Sequence, residues 1–393
     1  MRGFLFVRGA ALRLLVLAAF SGNTTASAVE KSKAPGLEDH AAYFANSNPD
    51  DANEAKAHVL RAKTISSIDA LLRSKISDAR RFELLLRQSE LKIENHDFLR
   101  KKELDQYIKN YDAWVTQGKK GAQPTPNHAG SRRELTAAAN TLRKITNSYA
   151  SFGRADQAMF ELAKTLARLG NENAVMYYNN LLKQYPKSEL IPDVYLALGE
   201  YYFEKQKMDV AVEQYRKVLQ FKSHRAYPYS VYKLGWAFYN DNGGSTKETK
   251  ENLEKAVSAF KLLVSLSKLR QTDQSRGRVD LREEGLSGLV MVWSETQSTD
   301  EAYAYFSGIN EPASFYKMLE RMGNLYAEKG NNVKAIAVFE RILKESPLRE
   351  SNPQIQSKLL ELYDSDLNFA AVVNGLQIMK TRYLAGTEWR RKI

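Results

Sequence analysis

The sequence predicts an all-α chain, a solenoid of antiparallel helix pairs stacked in series. Three observations predict it. A small residue is followed 12 positions later by Ala and 4 later by an aromatic, as in Gly199–Ala211–Tyr215 and Gly323–Ala335–Phe339, with Pro347 a further 8 on. The alanines of this pattern recur at Ala174, Ala211, Ala256, Ala302, Ala335 and Ala371, at gaps of 37, 45, 46, 33 and 36 residues. Only 10 prolines in 393 residues leave room for long helices. A period of this length marks hairpins that cannot bury their apolar faces alone and so lean on copies of themselves.

Residues 1–28 read as a secretory signal peptide. Arg2, Arg8 and Arg13 give a positive start, Leu14 to Phe20 is apolar, and Ala26-Ser27-Ala28 is a small-x-small cleavage site. Cleavage after Ala28 removes three arginines and no acid, which lowers the net charge from +12 to +9. The apolar run is too short to span a bilayer comfortably. No later segment is apolar for about 18 residues, so the mature chain is expected to be soluble, without a transmembrane segment. Residues 29–56 are polar, with Pro35, Gly36, Asn46, Asn48 and Pro49, and read as a flexible tether.

From 57 to 116 the pattern is a helical hairpin. Ile65, Ile68, Leu72, Ile76, Ala79, Phe82 and Leu86 step by three or four. Leu91, Phe98, Leu104, Ile108, Tyr111 and Val115 continue the stripe, and Asn95-His96-Asp97 is the expected break. Two arrangements fit: a coiled coil that oligomerises, or a hairpin docked on the first repeats. Residues 117–131, with Gly118, Gly121, Pro124, Pro126 and Gly130, form a linker loop. Residues 132–393 hold the solenoid, about six helix pairs. The two long gaps have visible causes: Asp241-Asn242-Gly243-Gly244-Ser245 extends one loop, and Lys268 to Gly277 extends the link to the next pair.

The slots explain the residue types. Tyr195, Leu198, Gly199 and Tyr202 share a face of a first helix; Ala211, Tyr215 and Val218 share a face of its partner. Gly and Ala let the backbones approach. The slots recur as Val231, Leu234, Gly235 and Phe238 with Ala256, Phe260 and Leu263. They recur again as Leu319, Met322, Gly323 and Tyr326 with Ala335, Phe339 and Ile342. Val290, Trp293, Ala302 and Phe306 fill a further unit. In the last one Leu360, Tyr363 and Ala371 hold, while Gly375 or Leu376 replaces the aromatic. Pro186 and Pro347 fall where a second helix must end.

On these residues the chain resembles the tetratricopeptide repeat family over 156–393. Three stretches are similar to a narrower group, the secreted tetratricopeptide proteins of the deltaproteobacterial adventurous gliding motility type. They are Ile191-Pro192-Asp193-Val194-Tyr195-Leu196-Ala197-Leu198-Gly199, Tyr229-Ser230-Val231-Tyr232-Lys233-Leu234-Gly235-Trp236 and Leu281-Arg282-Glu283-Glu284-Gly285-Leu286. The resemblance implies a right-handed superhelix and a periplasmic scaffold in a cell-envelope machine. Such proteins tend to run on with further repeats, so a short member or an incomplete C-terminus is expected.

In that superhelix the first helices line the inner face. The expected partner-binding groove is Tyr229, Tyr232, Trp236 and Tyr239, which step by 3, 4 and 3, with Phe160, Lys164, Glu200 and Phe203 from neighbouring first helices. Open aromatics there would anchor a peptide or helix. The competing reading is that the same rings simply pack.

Signs of bond-making chemistry are missing. There is no cysteine, which excludes disulfides, thiolate catalysis, cysteine-ligated zinc and N-terminal lipidation. No two of His40, His58, His96, His128 and His224 lie four apart on a helix. Gly285-Leu286-Ser287-Gly288 has the wrong spacing for a nucleophile elbow, and Gly243-Gly244-Ser245-Thr246-Lys247 the wrong order for a phosphate loop. No metal, cofactor or catalytic residue is therefore expected. The 58 basic and 46 acidic residues are interspersed, which argues against nucleic acid. The expected function is a non-catalytic scaffold for other envelope proteins. The second reading is a binder of peptidoglycan or another anionic envelope polymer through the basic surface.

Overall fold

Apolar residues at helical spacing, interrupted by short polar turns, make helices, and helices are what the chain forms. A computed structural model describes residues 51–241, 245–270, 281–296, 298–309, 311–383 and 387–392. The expected signal peptide and most of the tether lie outside them, as do Asn242–Gly244 and the 271–277 part of the charged link. Among the described residues there are helices and no strands. The chain divides into two units, 1–201 and 202–393, and the division falls inside one helix, Ile191–Glu204.

Unit one holds α1 (Asp51–Arg73), α2 (Asp78–Thr116), α3 (Ala129–Ser148), α4 (Ala155–Arg168), α5 (Asn173–Gln184) and most of α6 (Ile191–Glu204). Helix α1 begins six residues before the expected position. The expected break at Asn95-His96-Asp97 is not there: α2 runs unbroken for 39 residues. Tertiary hydrogen bonds hold these turn-prone residues in the helix. Asn95 Oδ1 lies 3.1 Å from His58 Nδ1, His96 Nδ1 lies 2.9 Å from Asp97, and Arg168 of α4 donates to Asp97. The real break is 74–77, where Ser77 caps α2 by accepting from the Arg80 N–H at 3.3 Å. Ile68, Leu84 and Leu91 then close α1 on α2, flanked by Ile65, Leu72 and Ile76.

Helix α2 lies along α3. Thr141 of α3 donates to Gln88 at 3.2 Å, and Gln88 donates to Asp69 of α1 at 2.6 Å, so one polar chain ties three helices. The N-terminus of α3 has no side-chain cap of its own. Glu103 of α2 supplies it, accepting from Ser131 N at 2.9 Å and Ser131 Oγ at 2.5 Å. This needs Gly130, since a Cβ there would stand 2.8 Å from Glu103 Oε1.

Unit two holds α7 (Met208–Val218), α8 (Ala226–Asn240), α9 (Thr246–Arg270), α10 (Arg282–Thr296), α11 (Thr299–Gly308), α12 (Pro312–Glu328), α13 (Asn332–Glu345), α14 (Asn352–Ser365), α15 (Phe369–Arg382) and α16 (Glu388–Lys392). From α7 to α15 each helix packs on its sequence neighbour, the serial contact of a solenoid. The pattern alanines Ala211, Ala256, Ala302 and Ala335 are fully buried, as is Ala174 in unit one. The aromatics four residues on follow suit: Tyr215, Phe260 and Phe339 are fully buried, and Phe306 and Tyr178 nearly so. In the last hairpin it is Gly375 that sits in the aromatic's slot, under Leu360; Leu376 is exposed.

Candidate functional site

The aromatic stripe expected to bind partners lies on α8. Pro228 falls in the first turn of this helix, where its missing N–H costs nothing. Every residue from Ala226 to Tyr239 is buried. A helix covered on all sides is a core element rather than a half-exposed one. Among its neighbours, α7 covers one flank, α9 packs along another and α10 touches it as well.

The four rings form a ladder. Tyr229 and Tyr232 stand 6.1 Å apart edge to face, Tyr232 and Trp236 6.3 Å, and Trp236 and Tyr239 5.5 Å. Trp236 also meets Phe260 of α9 at 5.7 Å. Expected as open anchors, the rings are almost wholly covered. Tyr232 and Tyr239 retain 3% and 2% exposure, Trp236 and Tyr229 8% and 9%. Spacing placed them on one stripe; packing closed it, because edge-to-face pairing consumes the ring faces. Phe203, in the same unit, is buried too, with the Lys233 ammonium 5.6 Å over its ring.

In unit one, Phe160 is buried and its ring lies 6.1 Å from Tyr178 of α5. Lys164 is half-exposed, pairs with Glu161 at 3.2 Å and stands 5.4 Å over the Phe160 ring. Glu200 is buried.

Two polar features decide the chemistry of α8. Tyr239 donates to Glu295 of α10 at 3.1 Å, and Lys329, the C-cap of α12, pairs with the same carboxylate at 3.0 Å. Burial, with the Glu295 carboxylate beside it, raises the Tyr239 phenol far above its ordinary range, so it stays a hydrogen-bond donor at any physiological pH. The Trp236 indole N–H, by contrast, is buried and has no acceptor among the described residues.

Sequence reasoning passed over Lys233. It is fully buried and is the sole charged residue of α8. One lysine in an otherwise uncharged helix is the available signal, since Lys is almost never fully buried unless paired. The spacing of Gly285 and Gly288 fails as a catalytic motif, and the sequence gives neither a packing role. The structure shows packing glycines: a Cβ on Gly288 would lie 2.6 Å from the Phe260 ring, and one on Gly285 3.0 Å from Val264.

Among the described residues, no three His, Asp or Glu side chains gather as a metal site. No helix there is long and apolar enough to cross a membrane. A surface depression of about 540 Å³ is lined by one helix, α3, through Arg132, Arg133, Thr136 and Asn140, with no carboxylate among its walls.

Residues 157–188 and 318–348 match one tetratricopeptide repeat family and residues 192–224 another of the same description. The chain carries tetratricopeptide repeats. These repeats are protein-interaction modules, generally non-catalytic. The three matched segments contain the Ala174, Ala211 and Ala335 units. No curated protein matches the chain. Among solved structures it is similar to a tetratricopeptide repeat protein from Parabacteroides merdae ATCC 43184. The identity is 14%, over 74% of this chain and 97% of that one, with a TM-score of 0.36. It is also similar to Pseudomonas aeruginosa pilF, with 13% identity over 66% and 99% of the two chains and a TM-score of 0.35.

Proposed function

We propose that these repeats hold partner proteins in the bacterial cell envelope, with α8, covered in the free chain, as the element that a partner uncovers in unit two. The observation that carries the site is the Trp236 indole N–H. A buried donor without an acceptor costs about 1–3 kcal/mol, and a partner carbonyl or carboxylate recovers it once the side chains that cover the ring edge part to admit it. Trp is also the residue type most enriched where binding energy concentrates.

Export rests on the amino end of the sequence: Arg2, Arg8 and Arg13, the apolar run, and Ala26-Ser27-Ala28. The likeness to secreted gliding-motility repeat proteins supports a role in an envelope machine of that kind. The test is co-purification from envelope extract with the full chain and Trp236→Phe, which keeps a ring and removes the N–H. Loss of one specific partner in the variant supports the site; unchanged capture removes it. Capture that survives high salt fits an aromatic anchor. Capture that collapses there would assign the chain instead to an anionic polymer such as peptidoglycan. Mass measurement of the mature amino terminus checks export: a chain starting at Val29 supports it, and one retaining residues 1–28 overturns it.

A further inference from the structure

Helix α3 stands apart from the other helices of unit one in charge. It carries Arg132, Arg133, Arg143 and Lys144 against one acid, Glu134. Elsewhere the signs are close to balance: four cations against three acids on α1, eight against eight on α2, two against two on α4, a single Lys183 on α5 and no cation on α6. At about 100° per residue, Arg132, Arg133, Thr136, Asn140, Arg143 and Lys144 fall within one arc of roughly 120°. Five of the six are exposed and Arg143 is half-buried. Glu134 lies outside the arc, and its charge acts on Lys92 of α2.

No carboxylate holds these four cations. Arg143 donates to Asn140 at 2.9 Å, and the side chains of Arg132, Arg133 and Lys144 have no partner among the described residues. The first pair is also of the wrong sign for folding. The N-terminus of a helix is the positive end of its dipole, which favours acids and disfavours cations. The first turn of α3 holds no acid, and Arg132 closes it. Arginines kept open and unpaired at that end add nothing to the helix, and a local rule broken without a folding gain points to function.

The charges identify what the face takes. The two cation pairs lie about 16 Å apart along the helix axis. The 540 Å³ depression runs from the first pair to Asn140, past Thr136 and Ala137, with no carboxylate in its walls. Arginine forks suit carboxylates, and clustered arginines recognise acidic motifs. A polymer charged at every unit would gain nothing from the uncharged stretch between the pairs. A protein segment with acids at two points and small or polar residues between them matches it, since about five residues of extended chain span that distance. We infer that the outer face of α3 is a docking site for such an acidic protein segment, with Arg132 and Arg133 taking one carboxylate cluster and Arg143 and Lys144 the other. This extends the partner-holding reading to unit one, and it uses no contact of α8.

Fluorescence anisotropy of the full chain with a labelled, end-capped peptide tests this. The peptide has two glutamates, three glycines or alanines, and two more glutamates. At about 50 mM salt, where screening is mild, the expected affinity lies between about 10 μM and 1 mM. Arg132→Glu with Arg133→Glu should weaken it about tenfold, and Arg143→Gln with Lys144→Gln about threefold. Lys183→Glu with Lys187→Glu reverses two exposed cations of unit one outside the arc. That pair should change the affinity less than about twofold, which separates the arc from net charge. The Arg132 and Arg133 reversal should also keep or raise the melting temperature, since acids replace cations at the positive end of α3; lost binding there is then not lost folding. Trp236→Phe should leave the peptide affinity unchanged, so that the α8 site and this one fail separately. A parent chain that ignores the peptide up to about 1 mM overturns the inference, as does an equal loss from the Lys183 and Lys187 reversal. Pelleting with purified peptidoglycan is the other arm. A parent that pellets, stops doing so with the Arg132 and Arg133 reversal and ignores the peptide assigns the face to an anionic polymer and overturns the inference as well.

Discussion

A Cβ on Gly235 would stand 2.5 Å from Cε1 of Phe260. The Phe260 ring is pinned on its other side by Gly288, where a Cβ would come to 2.6 Å. One fully buried ring of α9 thus occupies a slot whose two walls, α8 and α10, are backbone. The same device joins Gly323 to Phe339, at 2.6 Å. Close packing makes such a slot intolerant of a single methyl group.

Gly235→Ala and Gly288→Ala are each expected to destabilise unit two by about 1–3 kcal/mol. Their effects should not add, since both push on one ring. Adding Phe260→Leu to Gly235→Ala should cost less than the two changes measured apart. Urea unfolding of the three single and two double variants checks this; strict additivity would show that the ring is not the shared contact.

Pro in place of Asn95 separates a turn from a helix interior. At a turn it is tolerated. Inside an unbroken α2 it removes a backbone bond and clashes with the preceding turn, at a cost of about 3 kcal/mol or more. Ser77→Ala, at the real start of α2, should cost about 1 kcal/mol, and Ser77→Asp close to nothing. Thermal melts of the three variants give the order.

Glu103 predicts a pH dependence. Burial pushes its carboxyl up, but hydrogen bonds from Ser131 outweigh this, with His128 and Gly130 helping, and the folded-state value falls below the ordinary one. The folded chain therefore holds Glu103 ionised to lower pH than the unfolded chain does. Its stabilisation is complete above the unfolded carboxyl value of about 4.3 and is lost as pH falls through the folded value. Glu103→Gln should cost about 1 kcal/mol at pH 7, and the gap from the parent should close in acid. A gap that stays constant down to pH 3 would remove the charge from the account.

Trp236→Phe should leave the melting temperature unchanged or slightly raised, because it deletes a buried donor that has no acceptor. A marked drop in melting temperature would mean that the indole N–H already serves the fold, which would end its assignment to a partner.

The solenoid was legible because it is written in period and residue size. Ala174, Ala211, Ala256, Ala302 and Ala335 are all fully buried, and the sequence by itself determined that they would be. A hairpin needs a small residue wherever two backbones cross, whatever else surrounds it. The candidate site was legible only as a line: spacing put Tyr229, Tyr232, Trp236 and Tyr239 on one side of α8, but spacing carries no information about what lies opposite. Tertiary structure decided that these rings close on one another and that the Trp236 N–H is left unpaired. It also decided that α2 continues through Asn95, because its partners His58 and Arg168 come from distant helices. The same holds for Glu103, whose value depends on a helix terminus 28 residues away. Local pattern sets which face of a helix is apolar; only the assembled chain sets whether that face is covered, as on α8, or bare, as at Phe369, Val373 and Leu376 of α15.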